Sequence, residues 1–299
     1  MKATTYAPRD MTVHAQEIVA LQRRRILRRL LTETVLWAFI IAGMIFMLLP
    51  GIWMILSSFK TLTEISQVPL RLLPERLLWQ NYAKAIEFTQ FPRVLLNSLI
   101  VTSAITVANV VTGTWGGYTF GKLRWPGRDT VFVFLLSTLM IPAFLTVIPR
   151  YLLVNWMDMI NTYSGMVVPF LIGTFGIFLT KQYMLSIPDE LVDAATVDGC
   201  SALGIYWYII LPMCRPIIAV LTIITFNQFW DALLWGLMIL TEHDMFIIPV
   251  ALSYLKDETD FLVHLQMAGG TLAVVPVLIV FIIFQKQIIQ GVALSGLKG

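Results

Sequence analysis

Charge is what this sequence has least of. Only 13% of its 299 residues are Asp, Glu, Lys or Arg, while 58% are hydrophobic. Soluble domains carry about 25% charged residues, so a soluble enzyme is excluded at the outset. Histidine and cysteine are scarcer still. His243 and His264 stand too far apart for a metal-ligand pair, and Cys200 and Cys214 fall together in a segment placed below on the reducing side of a membrane. Neither a metal site nor a disulfide framework is expected. The H-E-x-x-H and G-x-S-x-G patterns of hydrolases are absent, and no basic patch has the footprint of a nucleic-acid binder.

What remains is apolar sequence in long blocks. Uncharged runs cover 34–59, 94–121, 130–149, 159–180 and 265–285, and 216–241 is interrupted only by Asp231. Each is long enough to cross a hydrocarbon core of about 30 Å as a helix. Continuous runs, rather than alternating ones, favour helices over a barrel. The expectation is an all-α, polytopic membrane protein with six transmembrane helices. The first run is too long for a signal-peptide core and is expected to stay in the mature chain.

Lys and Arg set the orientation, because cytoplasmic connections carry the excess. With both termini inside, 14 of the 21 basic residues fall on the cytoplasmic side and 7 outside. The cluster Arg23, Arg24, Arg25, Arg28 and Arg29 stands just before the first run, as a topology anchor does. The division expected is a basic cytoplasmic tail over 1–33 and one membrane domain over 34–299, with a C-terminal tail over 286–299. Outside, residues 79–88 suit a short amphipathic helix, and the stretch 242–264 is an acidic solvated loop.

Gly116–Lys122 spells G-x-x-x-x-G-K, but Leu123 stands where a Mg²⁺-binding hydroxyl belongs and no strand precedes it. Gly113, Gly117 and Gly121 read better as one helix face that lets a neighbouring backbone come close. Asp231 lies inside a span, where a charge is expensive. It belongs in a solute path beside Trp230, in a proton-coupling role, or in an internal hydrogen bond. The longest cytoplasmic connection, 181–215, is more specific. Ser186-Ile187-Pro188-Asp189-Glu190 starts a helix, Gly199 ends it, and a second segment runs through Tyr206-Trp207-Tyr208 to Pro212. Its small residues, Ala194 and Ala195, suit close fitting against another protein. A capped unit of this length exceeds an ordinary connection.

At Asp193-Ala194-Ala195, Gly199, Ile209 and Leu211-Pro212 the chain resembles the EAA motif of ABC importer permeases, with Asp193 where Glu is usual. Ser58-Phe59-Lys60, Asn81-Tyr82, Leu96-Asn97-Ser98, Gly117-Tyr118, Asn161-Thr162-Tyr163 and the tail 291–299 are similar to the carbohydrate, maltose-permease-like branch; Trp230-Asp231 stands where Trp-Asn is usual. The resemblance implies a non-catalytic permease subunit of a binding-protein-dependent sugar importer in a prokaryotic inner membrane. Its implied partners are a second permease, two cytoplasmic ATPase subunits that bind the ATP and Mg, an extracytoplasmic solute-binding protein and membrane lipid. The seven EAA-like residues would then couple to the ATPase. Other solutes for such a permease are a glycerol phosphate derivative or a peptide. A proton-coupled secondary transporter using Asp231 is the reading from a different class.

Overall fold

The computed structural model describes residues 9–255 and 262–296, with side chains described over 29–255 and 262–287. Every regular element among the described residues is helical. Packing divides the chain into two units, Met1–Leu56 and Ser57–Gly299. The first unit is essentially one helix, Arg9–Ser57, which passes without a break from the expected tail into the first apolar run. Within Arg29–Ser57 an 18-residue window reaches a mean hydropathy of 2.4, apolar enough to cross a membrane.

In the second unit two more helices are long and apolar enough to cross, Phe91–Gly121 and Val263–Gln287. The other candidate spans are bent pairs of helices and not single continuous ones. Arg128–Met140 and Ala143–Trp156 meet at 98°, Tyr163–Phe170 and Thr174–Met184 at 42°, and Ala202–Met213 and Arg215–Trp230 at 76°. Counting each bent pair as one span gives up to six. The run 216–241 is itself divided: Arg215–Trp230 stops, and Leu233–Ile239 follows after Asp231 and Ala232.

Two of the three breaks have identifiable causes. Pro142 forces Ile141 into extended backbone, ψ 117°, so the helix before it must end. At 171–173 the wedge is Asn109, whose Nδ2 donates to the Phe170 carbonyl at 2.6 Å and replaces a helical N–H. Its Oδ1 occupies the space a Cβ on Gly173 would need.

Phe91–Gly121 is the central helix, packed along Thr174–Met184 and Arg215–Trp230. Glycine permits the approach. A Cβ on Gly113 would lie 3.0 Å from a Leu221 methyl and 3.2 Å from the Gly176 backbone. One on Gly117 would lie 2.8 Å from Thr180 Cβ and 2.9 Å from the Lys181 nitrogen. Thr180 Oγ1 uses the space to donate to the Gly113 carbonyl at 2.5 Å. Gly121 is looser, with its nearest neighbours at 3.5 Å or more.

The short helix expected over 79–88 is Gln80–Thr89. Asn81 fixes it by donating to the carbonyls of Ser58 and Lys60, both at 2.8 Å. Asn97 donates to the carbonyls of Asp244 and Phe246 and accepts from Tyr163 Oη at 2.6 Å. Asn161, at φ 55°, accepts from the backbone nitrogens of Thr241 and Glu242. Of the acidic stretch 242–264, residues 256–261 lie outside the described residues, as do the side chains of Arg23 to Arg28 and of the tail beyond 287.

Candidate functional site: the 181–215 loop

Met184 ends one helix and the chain turns through buried Ile187 into Asp189–Val197. Pro188 is the residue before the helix and offers no capping side chain; Ser186, expected at the helix start, turns its hydroxyl back to the Tyr183 carbonyl. Asp189 and Glu190 sit in the first turn, where the helix dipole favours negative charge. Gly199, at φ 80°, reverses the chain, a conformation that costs a side-chain-bearing residue about 1–2 kcal/mol. The Cys200 nitrogen donates to the Ala195 carbonyl at 2.9 Å and closes the end. Ser201 caps the next helix by accepting from the Gly204 nitrogen. Ala202–Ile205 leads into a π-helical turn, Tyr206–Ile210, and then Leu211–Met213.

The inner face is one apolar cluster: Ala195, Ile205, Tyr206, Ile210 and Cys214 pack with Tyr118, Met184, Ile187 and Ile217. Three polar ties fasten it to the central helix. Tyr118 Oη donates to the Ala202 carbonyl at 2.9 Å, and the hydroxyls of Thr114 and Tyr206 meet at 2.9 Å. Lys122 Nζ, on a side chain only 2% exposed, donates to the Ile187 carbonyl at 2.6 Å and to Asp189 Oδ1 at 2.5 Å. That hydrogen bond from the Lys122 ammonium, with its charge, holds the Asp189 carboxyl below the usual range. Burial pushes the Cys214 thiol up to about 12, so it stays a neutral packing group.

Asp193, Ala194, Gly199 and Pro212 are exposed, while Ile209 and Leu211 are half-buried. Ala195 departs from the expectation of a fitting surface made by both alanines: at 8% exposure it faces the loop's own core. Its size is set by packing inside this chain. The outward face carries apolar side chains not singled out from sequence, Val197 at 87% exposure and Leu203 at 60%, together with Tyr208 at 82%. Lys122 was also missed; its only signal is a cation at the end of an apolar run.

Trp230 and Asp231 do not converge. Trp230 is buried, stacks on Phe226 and donates its Nε1 to the Ala273 carbonyl at 3.0 Å. Asp231 is exposed at the helix break. Among the described residues no three His, Cys, Asp or Glu side chains are grouped to hold a metal ion.

Helices long and apolar enough to cross a membrane, with a packed helical loop outside the apolar runs, give the chain the build of a polytopic membrane protein. Residues 110–294 match the family described as "Binding-protein-dependent transport system inner membrane component", and the chain belongs to that family. It is 31% identical to the arabinooligosaccharides transport system permease protein AraQ of Halalkalibacterium halodurans, over 84% of this chain and 91% of the relative. It is 30% identical to the sn-glycerol-3-phosphate transport system permease protein UgpE of Brucella abortus, over 84% and 93%. A solved structure of a bacterial ABC transporter involved in the import of the acidic polysaccharide alginate shares the fold, with a TM-score of 0.72 at 20% identity over 95% of this chain and 99% of that one.

Proposed function

We propose that the chain is one of two permease subunits of an ATP-driven importer of a sugar or oligosaccharide. In this reading residues 34–299 form a six-span membrane domain, 1–33 is a cytoplasmic tail, and both termini are cytoplasmic. Two ATPase subunits bind ATP and Mg beneath it, and a solute-binding protein delivers from outside. The observation that carries the reading is the 181–215 loop: a rigid, internally packed unit, tied to the central helix, that presents Val197, Leu203 and Tyr208 outward. An element of that build can receive a push and pass it to a span, shifting populations between outward- and inward-facing states. The arabinooligosaccharide relative supports the sugar, and Asp231, exposed beside the buried Trp230, is assigned to the solute path. Glycerol phosphate is the second solute, favoured by the sn-glycerol-3-phosphate relative.

The test is reconstitution of the complex with its ATPase and binding protein in proteoliposomes. Uptake of a labelled oligosaccharide that requires internal ATP supports the reading; uptake driven by a proton gradient without ATP refutes it.

A further inference from the structure

Arg150 stands apart from the features described so far. It lies on the Ala143–Trp156 helix with its guanidinium carbon 4.6 Å from the centre of the Phe170 ring and 6.0 Å from that of Trp235. Phe170 is itself edge-on to Phe229 and Trp235, so the cation rests on a fixed aromatic wall. Among the described residues it forms no ion pair, and no hydrogen bond from the guanidinium is made. Asp158, the next carboxylate along the chain, is exposed and unpaired with it. Among the described residues the donor fork, which suits carboxylate or phosphate, is therefore unspent.

Beside it opens a cavity of about 400 Å³, walled by Pro149, Leu153, Val154, Met157, Val168 and Pro169. Thr146 adds the only hydroxyl, already donated to the Ala143 carbonyl. A sugar needs several convergent polar partners, and this wall supplies one cation. An anion joined to a hydrocarbon chain satisfies both parts.

The helix itself gives the depth. Phe144, Ile148, Leu152 and Trp156, each four residues on, form an exposed row at 78%, 67%, 58% and 80%. The 98° bend from Arg128–Met140 turns this helix across the direction of the preceding half-span. An exposed apolar row that ends in a Trp suits the membrane interface, where headgroups are.

We propose that Arg150 is a binding site for the headgroup phosphate of an anionic phospholipid, with part of an acyl chain in the cleft between Leu153, Met157 and Val168. The site rests on the membrane reading alone and is independent of the solute carried.

The test uses the whole complex in nanodiscs of mixed phosphatidylcholine and phosphatidylglycerol, extracted into mild detergent, with retained lipid quantified by mass spectrometry. Wild type is expected to retain phosphatidylglycerol preferentially; Arg150→Gln should lose about fivefold of that preference, roughly one interfacial cation's worth, and Arg150→Lys should keep part of it. Leu153→Trp, which fills the cleft and spares the cation, should also lower retention, and it decides the matter if Arg150→Gln does not assemble. Undiminished phosphatidylglycerol in a variant that assembles overturns the proposal. So does displacement of the lipid by inorganic phosphate, which makes Arg150 a site for a soluble anion. Crosslinking of a cysteine at position 153 to the second permease also overturns it, since a protein partner then fills the cleft.

Discussion

Tyr118 donates its phenolic hydroxyl to the carbonyl oxygen of Ala202, 84 positions later, across 2.9 Å. The bond ties the last turns of the central helix to the middle of the 181–215 loop. Lys122, one turn further on, holds the loop's other arm through Ile187 and Asp189. Displacement of the loop must therefore carry the end of the central helix with it, and Gly113 and Gly117 keep that helix against Thr174–Met184 with no slack.

Lys122→Met is expected to loosen this joint. It removes two charge-assisted donations, from a side chain too buried for water to substitute, and should destabilise the loop by about 1–3 kcal/mol. Solvent screens the exposed Asp189, so Asp189→Asn should cost much less. Asp189 has a lowered pKa, so its contribution is complete above the unfolded value near pH 4 and is lost only as pH falls below it. Limited proteolysis at 185–200 should quicken in Lys122→Met and show no pH dependence between 6 and 8 in wild type.

The two alanines should separate. Ala195→Trp enters the cluster of Ile205, Tyr206 and Ile210 and should disrupt the loop, with a cost of about 1–3 kcal/mol or more. Ala194→Trp and Val197→Arg project outward and should leave the fold intact while abolishing ATPase co-purification. Full ATPase association in both outward variants would remove the docking role assigned to this face.

Gly117→Ala should destabilise the packed unit by about 1–3 kcal/mol, because its Cβ meets Thr180 and the Lys181 backbone. Gly121→Ala should be tolerated, since its Cβ meets only ordinary contacts at 3.5–3.6 Å. Thermal unfolding in detergent should show the difference between two glycines four residues apart.

Cys200 is half-buried and Cys214 fully buried with its thiol pushed up to about 12. A maleimide at pH 7.5 should modify Cys200 alone in the folded complex and both thiols after denaturation. Prompt labelling of Cys214 in the native state would contradict the packed loop core.

The spans and the loop's boundaries were legible in sequence because each rests on a local signal: absence of charge for the runs, Pro188 and Gly199 for the loop helix. The bends were not. Asn109 acts on Phe170 from 61 positions away, and no local pattern announces a side chain that replaces another helix's hydrogen bond. The direction of Ala195 was hidden for a similar reason, since a small residue suits an inner seam and an outer contact equally. Lys122 was masked by its place in a P-loop-like string. Asn97 and Tyr163, noted as separate fragments, proved to be one hydrogen-bonded joint.

The interruption at Asp231 has a consequence for hydration. Arg215–Trp230 ends at Asp231, within a run otherwise apolar enough for lipid, and Leu233–Ile239 starts two residues later. A helix end leaves its last carbonyls without intrahelical partners, and each such group costs several kcal/mol in hydrocarbon, so the break favours a polar environment at that turn. The break thus sets a boundary that composition alone does not draw, between the surface the bilayer wets and the one it leaves to water.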